Sequence, residues 1–112
     1  MSKIRGALAM LALATGVTAA GPALSQACNT QGMRSPGTNS PTHFTIINQV
    51  HDRSAQLYWI DFDGRPQLYA TIPPNGRYEQ QTYRGHIWKS ENSLGYCDII
   101  FIAENNAEII IK

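Results

Sequence analysis

From His43 onward, the chain alternates short apolar runs with turn-forming residues, which is typical of β-strands. The runs are HFTIINQ, SAQLYWIDF, PQLYATI, RYEQQTY, HIWKSEN, YCDIIFIA and EIIIK. Asp63-Gly64 is a strong hairpin signal, and Arg84-Gly85 separates two further runs. Apolar residues do not recur at helical spacing. The pattern predicts an all-β fold, a seven-stranded antiparallel β-sandwich, with YCDIIFIA, the most apolar strand, at the centre of its sheet.

The first 27 residues have the composition of a secretory signal peptide. Lys3 and Arg5 precede the uncharged run GALAMLALATGVTAAGPAL, and SQA then precedes Cys28. Glycines and a proline interrupt the run, which argues against a retained membrane span. We therefore predict that residues 1–27 are removed, that residues 28–42 form an irregular arm, and that residues 43–112 form the sandwich domain.

A cleaved signal peptide predicts a secreted or periplasmic protein, and this bears on the two cysteines, Cys28 and Cys97. In an oxidising compartment such a pair most simply forms a disulfide. It would close a loop of roughly 70 residues and contribute on the order of 4 kcal/mol. Lipid attachment at Cys28 is less favoured, because Ser25 stands where bacterial lipoprotein signals usually have Leu. A free thiol is the third alternative, and the sequence leaves all three open.

Composition argues against several functional classes. Of nine basic residues, Lys3 and Arg5 lie in the predicted signal peptide, so seven remain against eight acidic residues. No basic run points to a nucleic-acid partner. The histidines lack metal-ligand spacing, and no nucleophile elbow is present, so we expect no metal, no cofactor and no enzymatic activity. Asp61 and Asp63 are best interpreted as turn residues rather than an acid/base pair.

The segment QQTYRGHIWKSEN concentrates polar and aromatic side chains around Gly85. Thr82 and Tyr83 carry hydroxyl groups, and His86 can both donate and accept a hydrogen bond. Strand alternation places His86 and Trp88 on the same face. Aromatic walls with a few fixed polar groups are typical of a small ligand site. The alternative interpretation is a strand corner, in which Gly85 permits the bend and the aromatic rings only fill the core.

The blocks YWIDFDGRPQLYATIPP and TYRGHIW resemble the β domain of the von Hippel–Lindau tumour suppressor, over about Phe44 to Phe101. This resemblance implies a seven-strand sandwich that recognises a peptide containing 4-hydroxyproline. The family's peptide-binding residues fall on six positions here: Trp59, Tyr69, Thr82, Tyr83, His86 and Trp88. Thr82, in place of a family Ser, and His86 would then hydrogen-bond the proline hydroxyl. Gln81 stands where the family has a His that lines the groove.

The resemblance also predicts the partner. We expect an extended peptide or protein ligand, including one that contains hydroxyproline, bound along a sheet edge. A proline without the hydroxyl would leave Thr82 and His86 unpaired, at a cost of about 1–3 kcal/mol. The family's α domain, which recruits elongin and cullin, has no counterpart up to Lys112, so we expect no ubiquitin-ligase role.

Two other functions remain open from the sequence. The first is a structural envelope domain, or a self-associating one, whose aromatic residues are only core. The second is a small hydrolase or inhibitor that uses His86. Exposure of Thr82 and His86 in a groove favours the peptide-binding hypothesis, whereas complete burial favours a structural role.

Overall fold

The structure, a computed structural model, describes residues 26–112. The predicted signal peptide therefore lies outside the described residues, apart from Gln26 and Ala27. Between residues 26 and 112, no helix has the length and hydropathy that a membrane span requires.

Within residues 26–112, seven strands form two sheets, in agreement with the predicted all-β sandwich. One sheet has the order β4-β1-β7, the other the order β3-β2-β5-β6. Every pairing is antiparallel except that of β1 with β7, which is parallel. The strands are β1 (Pro41–Asn48), β2 (Ala55–Ile60), β3 (Pro66–Ile72), β4 (Arg77–Tyr83), β5 (Ile87–Asn92), β6 (Cys97–Ile102) and β7 (Ala107–Ile111).

The core lies between the sheets and is built from the inward-facing residues of both. Phe44 of β1 packs edge-on against Trp88 of β5 at 5.1 Å and against Phe101 of β6 at 4.9 Å, measured between ring centroids. Such edge-to-face pairs stabilise a core beyond their buried area. Around them lie the other buried apolar residues of this cluster: Ile46, Ala55, Leu57, Ile72, Ala103 and Ile111. The aromatic centre thus joins the two sheets close to Trp88.

The limits of two strands, PQLYATI and RYEQQTY, agree with the prediction, and the others differ by one or two residues. β1 begins at Pro41, two residues before the predicted start of the sandwich domain. A proline is tolerated there because the first residue of a strand need not donate to the ladder.

The position predicted for the most apolar strand was wrong. β6 is an outer strand of its sheet, paired with β5 alone among the strands, and Ile102 is 55% exposed. The apolar content of a strand reflects how far its two faces are buried. It says little about whether the strand has a hydrogen-bonded neighbour on each side. Here the N-terminal arm takes part of the open edge, because the Cys97 N–H donates to the Gln26 carbonyl at 2.7 Å.

The arm before β1 contains no strand between residues 26 and 40, but buried Ser35 anchors it. The Ser35 hydroxyl donates to the Ile60 carbonyl and accepts from the Ile87 N–H at 2.9 Å. The Ser35 N–H donates to the Asp61 carbonyl at 3.1 Å. Ser35 therefore links the end of β2 to the start of β5.

A disulfide joins Cys28 in the arm to Cys97 at the start of β6, as predicted. The two Cα atoms are 4.5 Å apart, and the bond spans a sequence separation of 69 residues. In a domain with a single small core, such a cross-link supplies a large part of the stability.

We expect the double variant Cys28→Ser/Cys97→Ser to unfold more easily than the wild type, by about 2–4 kcal/mol, because the unfolded chain regains the entropy of an open loop. Urea denaturation followed by tryptophan fluorescence measures this. Dithiothreitol should lower the stability of the wild type to that of the double variant and leave the variant unchanged. Equal stability of the two oxidised proteins would contradict a stabilising role for the bond.

Candidate functional site

A cleft of about 260 Å³ opens between the edges of the two sheets. β3 and β4, the outer strands on this side of their sheets, flank it. The other contributors are β2, β5 and the two turns β2–β3 and β4–β5. Its lining consists of Trp59, Phe62, Tyr69, Gln81, Thr82, Tyr83, His86 and Trp88.

The structure brings all six residues of the predicted peptide-binding set to this cleft. It adds Gln81, which the resemblance had marked as a departure from the family, and Phe62, which sequence reasoning missed. Strand alternation along SAQLYWIDF predicts that Phe62 lies on the face opposite Trp59. However, β2 ends at Ile60, and beyond it Phe62 turns to the same side as Trp59. The Phe62 ring packs edge-on against Trp59 at 5.1 Å. The hairpin signal Asp63-Gly64, directly after Phe62, is the sequence feature that could have identified this departure from strand alternation.

The β2–β3 turn is held by Asp61. Its Oδ1 accepts the N–H groups of Asp63 at 2.9 Å and Arg65 at 2.8 Å, while Oδ2 accepts from the Gln67 amide at 3.0 Å. The bond from the Arg65 backbone is the main reason why the pKa of Asp61 lies below its usual value. Gly64 has a φ of 86°, which favours glycine. Asp61 therefore acts as the turn residue that positions Phe62.

The β4–β5 turn positions His86 and requires Gly85. Gly85 has a φ of 88°, and a Cβ atom there would lie 3.2 Å from Cγ of Pro36. The Gly85 N–H donates to the Ala103 carbonyl at 2.9 Å, and the Ala103 N–H donates to the His86 carbonyl at 2.8 Å. The Arg84 N–H donates to the Ser40 carbonyl at 2.9 Å. The turn is thus fixed by the arm on one side and by the end of β6 on the other.

Thr82 and Trp88 form a buried hydrogen bond at the base of the cleft. The Trp88 Nε1–H donates to Thr82 Oγ1 at 3.0 Å, and Thr82 is 7% exposed. A hydroxyl group can donate one hydrogen bond and accept two. Thr82 therefore keeps its own proton and one lone pair for a ligand.

His86 is paired with the second indole. The Trp59 Nε1–H donates to His86 Nδ1 at 3.1 Å, and the two rings lie 5.6 Å apart at 21°. Because Nδ1 accepts, the neutral ring carries its proton on Nε2. Nε2 is buried and, among the side chains of residues 26–112, is the single buried polar atom without a hydrogen-bond partner.

These two bonds correct one expectation. The sequence predicted that a proline lacking the hydroxyl would leave both Thr82 and His86 unpaired. In the structure each already accepts a hydrogen bond from an indole. An unhydroxylated ring therefore leaves these partners in place, and its penalty is smaller than that of a site with two empty acceptors.

The rim of the cleft is aromatic and open to solvent. Phe62 is 52% exposed, Tyr69 50% and Tyr83 43%. Large apolar groups clustered at the mouth of a cleft are typical of an interaction site. Thr82 and His86, by contrast, line the cleft but are nearly buried, so the site has a polar base and an apolar mouth.

A second cleft, of about 310 Å³, is lined by residues that include Asn48, Arg53, Asp98 and Lys112. Asn48 already forms hydrogen bonds with the carbonyls of Arg53, Ile72 and Pro73. Burial raises the pKa of Asp98, with a smaller contribution from the charge of Glu91, while a bond from Ser90 acts in the opposite direction. No group of three potential metal ligands occurs in the described part of the chain. The first cleft therefore remains the better candidate.

Comparison with known protein families supports the same conclusion. The family model of the VHL beta domain matches residues 33–108. The chain belongs to this family. The match begins at Met33, so the VHL beta domain here includes Ser35, the anchor of the arm. Family membership makes the domain a substrate-recognition-like module and confirms the resemblance on which the six residues were chosen; their individual roles remain predictions.

The state of His86 predicts a pH dependence of stability. Burial lowers the pKa of His86, although the Pro36 carbonyl acts in the opposite direction. The unfolded chain therefore takes up a proton near pH 6.5, before the folded protein does. The stabilisation is complete above this pH and is lost as the pH falls towards the lower pKa of the folded state.

We expect the urea midpoint of the wild type to fall between pH 7.5 and pH 5.5 by more than that of His86→Phe. His51→Gln, which replaces an exposed histidine, is the control and should retain the wild-type dependence. An equal fall in wild type and His86→Phe would show that His86 does not carry the effect.

Proposed function

We propose that this protein is an extracytoplasmic binding module that holds an extended peptide in the cleft, including peptides with 4-hydroxyproline, and performs no catalytic step. The observation that carries the proposal is the convergence of Trp59, Tyr69, Thr82, Tyr83, His86 and Trp88 on one cleft. Membership of the VHL beta domain family supports the coarser part, a module for recognition.

The size of the cleft favours one residue of a longer ligand. Its volume of about 260 Å³ lies just below the range of about 300–1,000 Å³ that is usual for complete small-molecule sites. A prolyl ring is compact and weakly polar, and it packs well against aromatic faces. The remaining lone pair and proton of Thr82 lie at the base, where a substituent on the ring would point.

The rest of the peptide has an adjacent surface on which to bind. β3, which carries Tyr69, pairs only with β2 among the strands of the described residues, so its outer backbone groups are available to an added strand. Main-chain hydrogen bonds along such an edge supply affinity, while the pocket beside it supplies specificity. A peptide extended along β3 would place one side chain in the cleft next to Tyr69.

The compartment follows from the predicted signal peptide, and the Cys28–Cys97 disulfide supports it, since such bonds persist mainly in oxidising environments. Hydroxyproline occurs there in extracellular structural proteins, which makes them the favoured source of the ligand. An extracytoplasmic protein does not meet elongin and cullin, so the proposal includes no role in ubiquitin ligation.

The peptide-binding proposal predicts a preference for hydroxyproline that depends on the Thr82 hydroxyl. Isothermal calorimetry with matched proline and hydroxyproline peptides should show tighter binding of the latter. Thr82→Val should reduce the preference by about 5–10-fold, because it removes one hydrogen bond to the ligand. Thr82→Ser keeps the hydroxyl and is the matched control. Equal binding of both peptides by the wild type, or an unchanged preference in Thr82→Val, would contradict the proposal.

Self-association is a second candidate, favoured by apolar residues on open sheet edges. Ile102 of β6 is 55% exposed and Ile110 of β7 is 45% exposed. Unprotected edge strands with such residues tend to pair with other chains.

If self-association is the function, sedimentation velocity should show dimers of the wild type and monomers of Ile102→Lys. Leu94→Lys, an equally exposed position in the turn between β5 and β6, should remain dimeric. A monomeric wild type at concentrations of about 100 μM, far above the Kd of a stable assembly, would exclude this candidate.

A further inference from the structure

We propose that the indole N–H of Trp59 sets how strongly the cleft distinguishes a hydroxylated ligand from an unhydroxylated one, because it occupies the nitrogen of His86 to which a ligand hydroxyl would donate. The inference rests on the proposed function and adds a determinant of its selectivity. Its basis is the Trp59 Nε1 to His86 Nδ1 bond of 3.1 Å.

Only Nδ1 of His86 can accept a hydrogen bond from a ligand hydroxyl, because the neutral ring carries its proton on Nε2. Nε2 is sealed from solvent. Nδ1 meets Trp59, which lines the cleft. An unprotonated imidazole nitrogen has a single lone pair in the ring plane, and it therefore accepts one good hydrogen bond. A ligand hydroxyl and the Trp59 indole compete for this lone pair.

A ligand hydroxyl can bind both groups by inserting between the Trp59 N–H and His86 Nδ1. It donates its proton to His86 Nδ1 and accepts the displaced Trp59 N–H on its oxygen, while Thr82 supplies a second donor. The single bond between Trp59 and His86 is thus replaced by two bonds, one from the ligand hydroxyl to His86 Nδ1 and one from the Trp59 N–H to the ligand oxygen. A ketone, ether or fluorine at the same ring position can only accept. If it took the Trp59 N–H, Nδ1 would lose its donor, so the bond between Trp59 and His86 should stay in place with such a ligand.

An unsubstituted proline forms no hydrogen bond at this ring position, so the bond between Trp59 and His86 stays intact when it binds. The wild type therefore tolerates proline better than a cleft with an empty acceptor would. Removing the indole N–H creates that empty acceptor, and bound proline would then bury it unpaired. The Trp59 N–H thus limits how strongly the cleft prefers hydroxyproline to proline, and replacing Trp59 should increase this preference.

The first test observes the indole directly. The chain has two tryptophans, so a ¹⁵N-labelled sample gives two indole N–H signals, assigned from the proximity of Trp59 to Phe62 and of Trp88 to Phe44. N-acetyl-(4R)-hydroxyproline N-methylamide should shift the Trp59 signal strongly by replacing its acceptor. The matching proline and 4-oxoproline compounds should shift it much less. Binding of the hydroxyproline compound without a change in the Trp59 signal would overturn the inference while leaving the proposed function in place.

The second test compares affinities. The ratio of the Kd for proline peptide to that for hydroxyproline peptide should rise about tenfold in Trp59→Phe, as expected for one buried acceptor left unpaired. Tyr58→Phe removes a hydroxyl group from β2 at a residue that does not line the cleft, and its ratio should equal that of the wild type. An unchanged or lower ratio in folded Trp59→Phe overturns the inference.

The results distinguish a failure of the proposed function from a failure of the inference about Trp59. If no prolyl probe shifts any cleft signal, the proposed function fails and the inference with it. If hydroxyproline binds preferentially but Trp59 neither shifts nor affects the ratio, the inference alone fails. Should Trp59→Phe not fold, the probe series on the wild-type protein still decides.

Discussion

The cleft depends on one short crossing between the sheets. β4 belongs to the three-stranded sheet and β5 to the four-stranded sheet, and the chain passes from Tyr83 to Ile87 in a single tight turn. The positive φ of Gly85 and its bond to Ala103 fix that turn. Because the passage is so short, Thr82 at the end of one sheet lies within hydrogen-bond distance of Trp88 in the other. The polar base of the cleft is therefore a result of topology.

A second constraint is that a nearly buried polar pair must be satisfied in the absence of ligand. Thr82 and His86 would be costly if left unpaired, and the two indoles of the cleft supply the donors. The tryptophans thus act both as apolar walls and as hydrogen-bond partners. This arrangement stabilises the domain by satisfying both side chains from within. In the proposed function, recognition and stability would share the bond between Trp59 and His86.

The arm contributes to this arrangement from outside the sheets. Ser35 holds the end of β2 against the start of β5, and residues Pro36 to Ser40 contact the turn that carries His86. At its other end the arm is fastened to β6 by the disulfide. The family match, which begins at Met33, includes the part that supports the cleft. An irregular segment without strands is therefore an ordered part of the recognition domain.

The sequence by itself determined most of the strands and their turns, while the grouping of the six site residues came from the family resemblance. Alternating burial and turn residues such as Gly64 and Gly85 depend on local geometry, which is why those predictions agree with the structure. The edge position of β6, the parallel pairing of β1 with β7 and the inward turn of Phe62 were decided by tertiary structure. So was the choice of Trp59 and Trp88 as partners for His86 and Thr82. Strand order and hydrogen-bond partners depend on which distant segments of the chain approach one another. Local sequence patterns do not specify these long-range contacts.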